Sequence, residues 1–279
     1  MNQSLKSTSL VHRAFVAFQA NPPDLREIGD QDGEVRYVQN TLPSYERTVS
    51  DIMKLFPERN SLQGLNFVEL GAFLGIVSKA LSLASATVVA CDIPEFFARE
   101  NVRAYYQSIC VEIQAFNLRN YCLPFSSFSQ DCVIACETFE HLNFNPLPVF
   151  AEINRVLRPG GYFYLAMPNG SYLLKRIKYL VSGNTPGFTV DDLFAQLNPN
   201  DNMVVGLHWK EYSLSQTIQM VTQIGFEVVR ARTLDDSGSG NRPFLKRLVK
   251  WLVPGDDTQV VIFKKVAEFE NVFSACADS

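Results

Sequence analysis

The sequence predicts an α/β domain, a mainly parallel sheet covered by helices on both faces. Two observations carry this. From about Leu65 to Lys265, apolar runs of strand length alternate with amphipathic segments of helix length, the order that feeds parallel strands through crossover helices. The composition, 47% hydrophobic and 19% charged over 279 residues, supplies ample apolar material for a buried sheet and excludes a wholly disordered chain.

Before the sheet, SYERTVSDIMKLF has helical spacing and is placed to cover a ligand; His12 sits on an earlier helix, with no partner in sequence, and reads as a surface residue. The strands expected in order are LNFVEL, ATVVACD, VEIQAF, DCVIACE, GYFYLAMP, FEVVRART and TQVVIFKK. FFARENVRAYYQ follows the second strand as a helix. PVFAEINRVL is another, closed by Arg158-Pro159-Gly160-Gly161, read as a helix stop and turn because Pro cannot continue the ladder and Gly relieves left-handed strain. Residues 169–206 are too long for a plain connection and read as a substrate lid. The expected organisation is thus a helical cap over 1–60, a core over 61–168 and 207–265, the lid insertion, and a loosely held tail over 266–279.

The net charge of −4 argues against a surface that coats nucleic acid, since neutralising phosphates needs clustered Lys and Arg. Cys91, Cys110, Cys122, Cys132, Cys136 and Cys276 show no C-x-x-C spacing and read as reduced, mostly packed thiols. No apolar stretch reaches the roughly 20 residues that span a bilayer, and MNQSLKSTSL lacks a signal-peptide core, so a cytoplasmic location is expected. The phenylalanine-rich PEFFARE and PFSSF read as core.

The chemistry begins where the first strand ends, in Val68-Glu69-Leu70-Gly71-Ala72-Phe73-Leu74-Gly75. Glycines there let the backbone turn sharply at the carboxyl edge of the sheet, where open α/β folds bind ligands. Asp92, at the end of the second strand, is placed to accept the ribose hydroxyls of an adenosine. Phe73 stands where a dinucleotide fingerprint needs a glycine, and the spacing is wrong for a pyrophosphate cradle. A methionine tail instead needs an acceptor for its ammonium, which Glu69 offers directly or through water. The competing reading makes Glu69 and Asp92 capping carboxylates.

On VELGAFLG, VVACDIP, NLRNYCLPF, DCVIACETFEHL, INRVLRPGGYFYLAMPN and HWKEYSLSQTIQMVTQIGFEV, the chain resembles the class I S-adenosylmethionine-dependent methyltransferases over about 200 residues, especially the bacterial group with ubiquinone- and menaquinone-pathway members. The resemblance implies a Rossmann-like seven-stranded, mostly parallel sheet with TQVVIFKK antiparallel between GYFYLAMP and FEVVRART. It assigns Glu69, Gly71 and Gly75 to the methionine portion of S-adenosylmethionine, Asp92 to the ribose and Ile93 to the adenine face. Asn117 and Leu118 occupy the place of an Asp-Leu whose carboxylate accepts from the adenine amino group, a task an Asn carbonyl can perform; the alternative for Asn117 is a turn. Glu137 lines the same pocket.

After the fourth strand, Glu137, Glu140 and His141 have the spacing to share one face of a helical turn, and the distant His208 opens His208-Trp209-Lys210-Glu211-Tyr212-Ser213. This pattern resembles the metal-using ubiquinone-pathway O-methyltransferases and small-RNA terminal 2′-O-methyltransferases, which implies a divalent metal on Glu137, Glu140, His141 and His208. Three roles stay open for His141: metal ligand, unmetallated general base, with His208 the other candidate base, or backbone-bonded structural residue. The functional expectation is methyl transfer to a small-molecule or saccharide acceptor, most simply at oxygen. A nicotinamide-dependent oxidoreductase and an inactive methyltransferase-like binding subunit are the alternatives.

Overall fold

The computed structural model describes residues 3–26, 31–57, 61–182, 207–234 and 256–270. Helices α1 (Gln3–Ala20) and α2 (Gln31–Leu55) precede β1 (Asn66–Leu70), α3 (Ile76–Leu83), β2 (Thr87–Asp92), α4 (Pro94–Phe97), α5 (Glu100–Ser108) and β3 (Glu112–Ala115). Then come β4 (Gln130–Cys136), α6 (Leu147–Val156), β5 (Leu157–Pro168), α7 (Leu173–Ser182), α8 (Leu214–Thr222), β6 (Phe226–Leu234) and β7 (Thr258–Lys265).

The sheet runs β3-β2-β1-β4-β5-β7-β6. β1 to β5 pair in parallel, while β7 lies antiparallel between β5 and β6, as the resemblance implied. Strand alternation splits the core into two layers. Phe67 of β1 joins α1, α2, α3 and α5 on one face; Val68 and Leu70 join α6 and α8 on the other. The N-terminal helices therefore belong to the main core: Leu10, Val11, Ala14 and Phe18 of α1 are buried, and Phe18 meets Tyr105 of α5 edge-on at 6.0 Å. Removing such a ring costs about 3–5 kcal/mol. His12 is exposed, as expected.

Several local expectations change. SYERTVSDIMKLF is only the second half of α2, which runs through Pro43; burial of Val38, Val49 and Ile52 on both sides of the proline outweighs its local cost. FFARENVRAYYQ is interrupted at Ala98–Arg99, separating α4 from α5. The Arg158–Gly161 turn lies within β5: Gly160 takes φ 77°, but the strand already starts at Leu157, paired with Gln130, and resumes with Tyr162 opposite Cys132. Cys122 is disulfide-bonded, contrary to the expectation of reduced thiols, and its partner lies outside the described residues; Cys91, Cys110, Cys132 and Cys136 are free. Of the expected lid, residues 183–206 lie outside the described residues, and the rest forms α7 and its lead-in. The tail starts well held, with Val266 and Ala267 donating to the Gly225 carbonyl, and 271–279 lies outside the described residues.

Candidate functional site

At the carboxyl end of β1 the chain reverses through Gly71–Gly75 into α3. Gly71 has φ 67°, and a Cβ there would strike Thr138, with Cγ2 at 2.9 Å; at Gly75 it would meet the Tyr106 ring at 2.8 Å. Both glycines are demanded by neighbouring side chains as well as by backbone angle. Phe73 keeps the path of a glycine loop despite its side chain, with φ 47°. Its amide donates to Asp92 Oδ2 at 2.9 Å, its carbonyl accepts from the Tyr106 hydroxyl at 2.7 Å, and the Leu74 carbonyl accepts from the Tyr105 hydroxyl at 2.9 Å. The ring lies 5.6 Å from Phe96 and 6.3 Å from Tyr37 of α2, so the N-terminal helices do reach the loop.

The two strand-end carboxylates are used first by the chain itself. Glu69 Oε2 accepts from the Ser78 amide at 2.8 Å and from the Ser78 hydroxyl, pinning the first turn of α3. Asp92 Oδ1 accepts from the Ile93 amide at 2.8 Å, while Oδ2 holds Phe73. The capping reading of these residues is therefore realised, with lone pairs left over. Burial pushes the Glu69 carboxyl up to about 7, against its bonds from Ser78 and helped by the Asp92 charge. Burial likewise raises Asp92 to about 6, against its two backbone bonds. Two desolvated carboxylates, with no ion pair to either among the described residues, make a crevice suited to a ligand bearing positive charge and hydroxyl donors. A pyrophosphate would meet repulsion there.

Of the residues that the resemblance assigned to the adenine, Ile93 is half-buried against the core layer containing α1 and α2, and Leu118 packs on the opposite layer. Asn117 takes the turn role: its Oδ1 accepts from the Arg119 amide at 2.9 Å and caps the 3₁₀ turn Leu118–Asn120. Arg119 in turn bonds to Asn143 and sits 5.2 Å from the Phe144 ring centroid, joining the loops that follow β3 and β4.

Beyond β4, Glu137 adopts φ 49° and its amide donates to the Ala166 carbonyl at 2.9 Å. The helical turn expected over Glu137–His141 is instead a 3₁₀ turn, Phe139–His141. The left-handed step at Glu137 breaks the i, i+3, i+4 register. Glu140, His141 and His208 converge, each offering a ligand atom within 4.8 Å of the others, and the Glu137 carboxyl neighbours Glu140. The 207–210 segment docks on the turn through main-chain bonds, Trp209 and Lys210 amides to the Glu140 carbonyl at 2.7 and 3.2 Å. The imidazoles meet edge to face with centroids 5.0 Å apart.

Hydrogen bonding fixes both imidazoles in one tautomer. His141 Nδ1 lies 3.0 Å from the Leu207 carbonyl, which can only accept, so Nδ1 carries the proton and the Nε2 lone pair is free. Burial, with His208 nearby, lowers His141 to about 4, so it is neutral at pH 7. His208 Nδ1 lies 2.9 Å from Glu211 Oε1 and donates to it in the same way. Glu140 is fully buried and neither oxygen has a well-aligned donor; burial, then the charge of the Glu137 carboxyl in side-chain contact with it, raises its carboxyl well above the usual range. A shared proton or a bound cation would relieve this. Sequence reasoning gave no role to Ser78, Tyr105, Tyr106, Thr138, Leu207 or Lys175, whose contributions depend on tertiary contacts, and only the H-x-x-E spacing hinted at Glu211.

Residues 68–165 match the methyltransferase domain family. A Mycolicibacterium smegmatis protein described as a probable S-adenosylmethionine-dependent methyltransferase is 28% identical over 165 residues, covering 59% of this chain and 53% of that protein. The chain thus spans about half the length of that curated relative. Among solved structures, a Galdieria sulphuraria protein provisionally assigned as a sarcosine dimethylglycine methyltransferase aligns over 92% of this chain and 98% of its own, at 15% identity and a TM-score of 0.56. A SAM-dependent methyltransferase from Methanosarcina mazei aligns over 75% and 96%, at 18% identity and a TM-score of 0.51. These likenesses establish the shared fold. The domain match, with the glycine loop and the sheet order, marks what this chain is similar to: a methyltransferase domain over residues 68–165.

Proposed function

We propose that this protein transfers a methyl group from S-adenosylmethionine to an oxygen of a small-molecule or glycan-linked acceptor, at a site where Glu140, His141 and His208 hold a divalent cation. S-adenosylmethionine supplies a sulfonium methyl, electrophilic along the S–C axis, and its two cationic groups suit the crevice of Glu69 and Asp92. A divalent cation supplies acidity to an acceptor hydroxyl that touches it. The chain's own part is to position and desolvate. Asp92 accepts from the ribose while holding Phe73; Glu69 faces the ammonium through its second oxygen; Ile93 and Leu118 flank the adenine, with Asn117 offering its remaining lone pair. Gly71 and Gly75 allow the backbone its close approach. The segment around α7, with α2, walls the acceptor side.

The observation that carries the cation is Glu140: a buried carboxylate without a well-aligned hydrogen-bond donor, beside two imidazoles whose Nδ1–H groups are donated outward to a carbonyl and a carboxylate. That is the outer-partner pattern of metal-bound histidines. Mixed oxygen and nitrogen donors admit several ions, from Mg and Mn to Zn and Fe. The test is chelation. Treatment with a chelator, followed by removal, should abolish methyl transfer while S-adenosylhomocysteine still binds by calorimetry, and divalent cations should be screened for restoration. Full activity in chelator eliminates the metal and leaves His141 Nε2 or His208 Nε2 as the base.

A further inference from the structure

We infer that Glu211 and Lys175 form a positioning pair that locks His208 as its Nδ1–H tautomer, leaving Nε2 unprotonated in a residue that stands beside Glu140 and His141. Lys175 Nζ reaches both carboxylate oxygens of Glu211 at 2.9 Å, and Glu211 Oε1 accepts from His208 Nδ1 at 2.9 Å. Glu211 is one-ninth exposed at its side chain, so both contacts are sheltered from full solvent screening.

The main chain under Glu211 is fixed independently. A Cβ on Gly170 would stand 2.8 Å from the Glu211 carbonyl carbon, and the Gly170 amide donates to the Tyr212 carbonyl at 3.0 Å. The buried Gln259 of β7 donates to the Tyr212 and Pro168 carbonyls at 2.6 and 3.1 Å. Asn169, also buried, accepts from the Ser171 amide and hydroxyl and donates to the Asp256 carbonyl, making a rigid step from β5 into α7. Two sheet strands therefore set where Glu211 stands, and α7 delivers Lys175 to it. Since α7 opens the segment assigned above to the acceptor, the pair also connects that wall to the cluster.

The inference rests on His208 acting in the proposed site, but its first readout does not depend on metal or activity. The chain has three histidines, which makes ring-nitrogen NMR of the full-length, metal-free protein assignable. At pH 8, long-range 1H–15N correlations should show Nδ1–H for both His141 and His208. Glu211→Ala should shift His208 towards Nε2–H while His141 stays unchanged, and Lys175→Met should give part of the same shift. Glu211→Gln, which keeps an acceptor for Nδ1–H, should preserve the tautomer and serves as the folding-safe variant. S-adenosylhomocysteine affinity checks the fold of each protein. In turnover, Glu211→Ala should lower kcat by about 10–100-fold with KM for S-adenosylmethionine nearly unchanged. An Nε2–H tautomer at His208 in the wild type, or no change in Glu211→Ala, overturns the inference; loss of metal dependence alone would instead remove the cation and leave the tautomer lock standing.

Discussion

The two sides of the crevice treat their acidic residues in opposite ways. At the ends of β1 and β2, Glu69 and Asp92 are already bonded to Ser78, Phe73 and Ile93, so the chain supplies their donors and a ligand adds to a formed structure. Past β4, Glu140 is buried without a well-aligned hydrogen-bond donor, and His141 Nε2 stands 3.9 Å from its Oε1. A pocket satisfied by its own backbone is preorganised for binding. A buried carboxylate left unsatisfied marks where the chain depends on something it does not contain.

The largest effect that tests this contrast belongs to Asp92. If its oxygens both brace the loop and accept from the ribose, Asp92→Ala removes several charge-assisted bonds worth about 1.5–3 kcal/mol each, and S-adenosylhomocysteine affinity should fall at least about tenfold. Thermal stability should fall too, because the Phe73 and Ile93 amides lose their acceptor. Asp92→Asn keeps one acceptor oxygen and should fall between. An alanine variant that binds normally in calorimetry would break the contrast at its better-determined end.

Acidity gives a smaller effect with a definite sign. Burial raises the Glu69 carboxyl to about 7 and that of Asp92 to about 6, above their ordinary carboxylate range near 4. Both are raised, so the folded state holds more protons than the unfolded one between those values. Their contribution to stability is full below about pH 4 and is lost as pH rises through 6 to 7. A cationic ligand prefers the ionised carboxylates, so S-adenosylmethionine affinity should tighten from pH 5.5 to 8 as the ligand-free protein loses this part of its stability. Glu69→Gln should flatten the upper portion of the stability curve. Affinity that weakens with rising pH would contradict the electrostatic account of the crevice.

The same contrast separates what could be read in the sequence from what could not. All seven strands were legible because each is a short apolar run between turn residues, and the turn at Gly71 and Gly75 and the placement of Asp92 were legible because they follow from position at a strand end. The E-x-x-E-H spacing suggested a helical turn, whereas a left-handed residue at Glu137 breaks the helical phase and only the folded backbone reveals it. Convergence of His141 with the His208 segment spans 66 residues at the Leu207 bond and is enforced by main-chain hydrogen bonds, which carry no side-chain code. Lys175 was beyond reach for the same reason, and Glu211 was visible only as part of the H-x-x-E spacing. The break between α4 and α5 was missed because apolar spacing continues across it.

The smallest effect concerns Phe73, where sequence and backbone disagree most openly. A bulky residue at φ 47° sits in the left-handed region at a cost of about 1–2 kcal/mol relative to its usual conformations. The loop holds it there through the bonds to Asp92 and Tyr106 and the ring contact with Phe96. Removing the ring must therefore destabilise, yet the choice of replacement should matter in an unusual direction. At an ordinary position alanine is more stable than glycine, because glycine loses more backbone entropy on folding. Here alanine keeps the strained angle and glycine relieves it, so Phe73→Gly should be more stable than Phe73→Ala by about 1 kcal/mol. Urea unfolding of the two variants measures the difference without any contribution from the lost ring, which is common to both. If alanine is the more stable, the loop does not hold residue 73 in the left-handed region, and the glycine-loop path through this sequence must be redrawn.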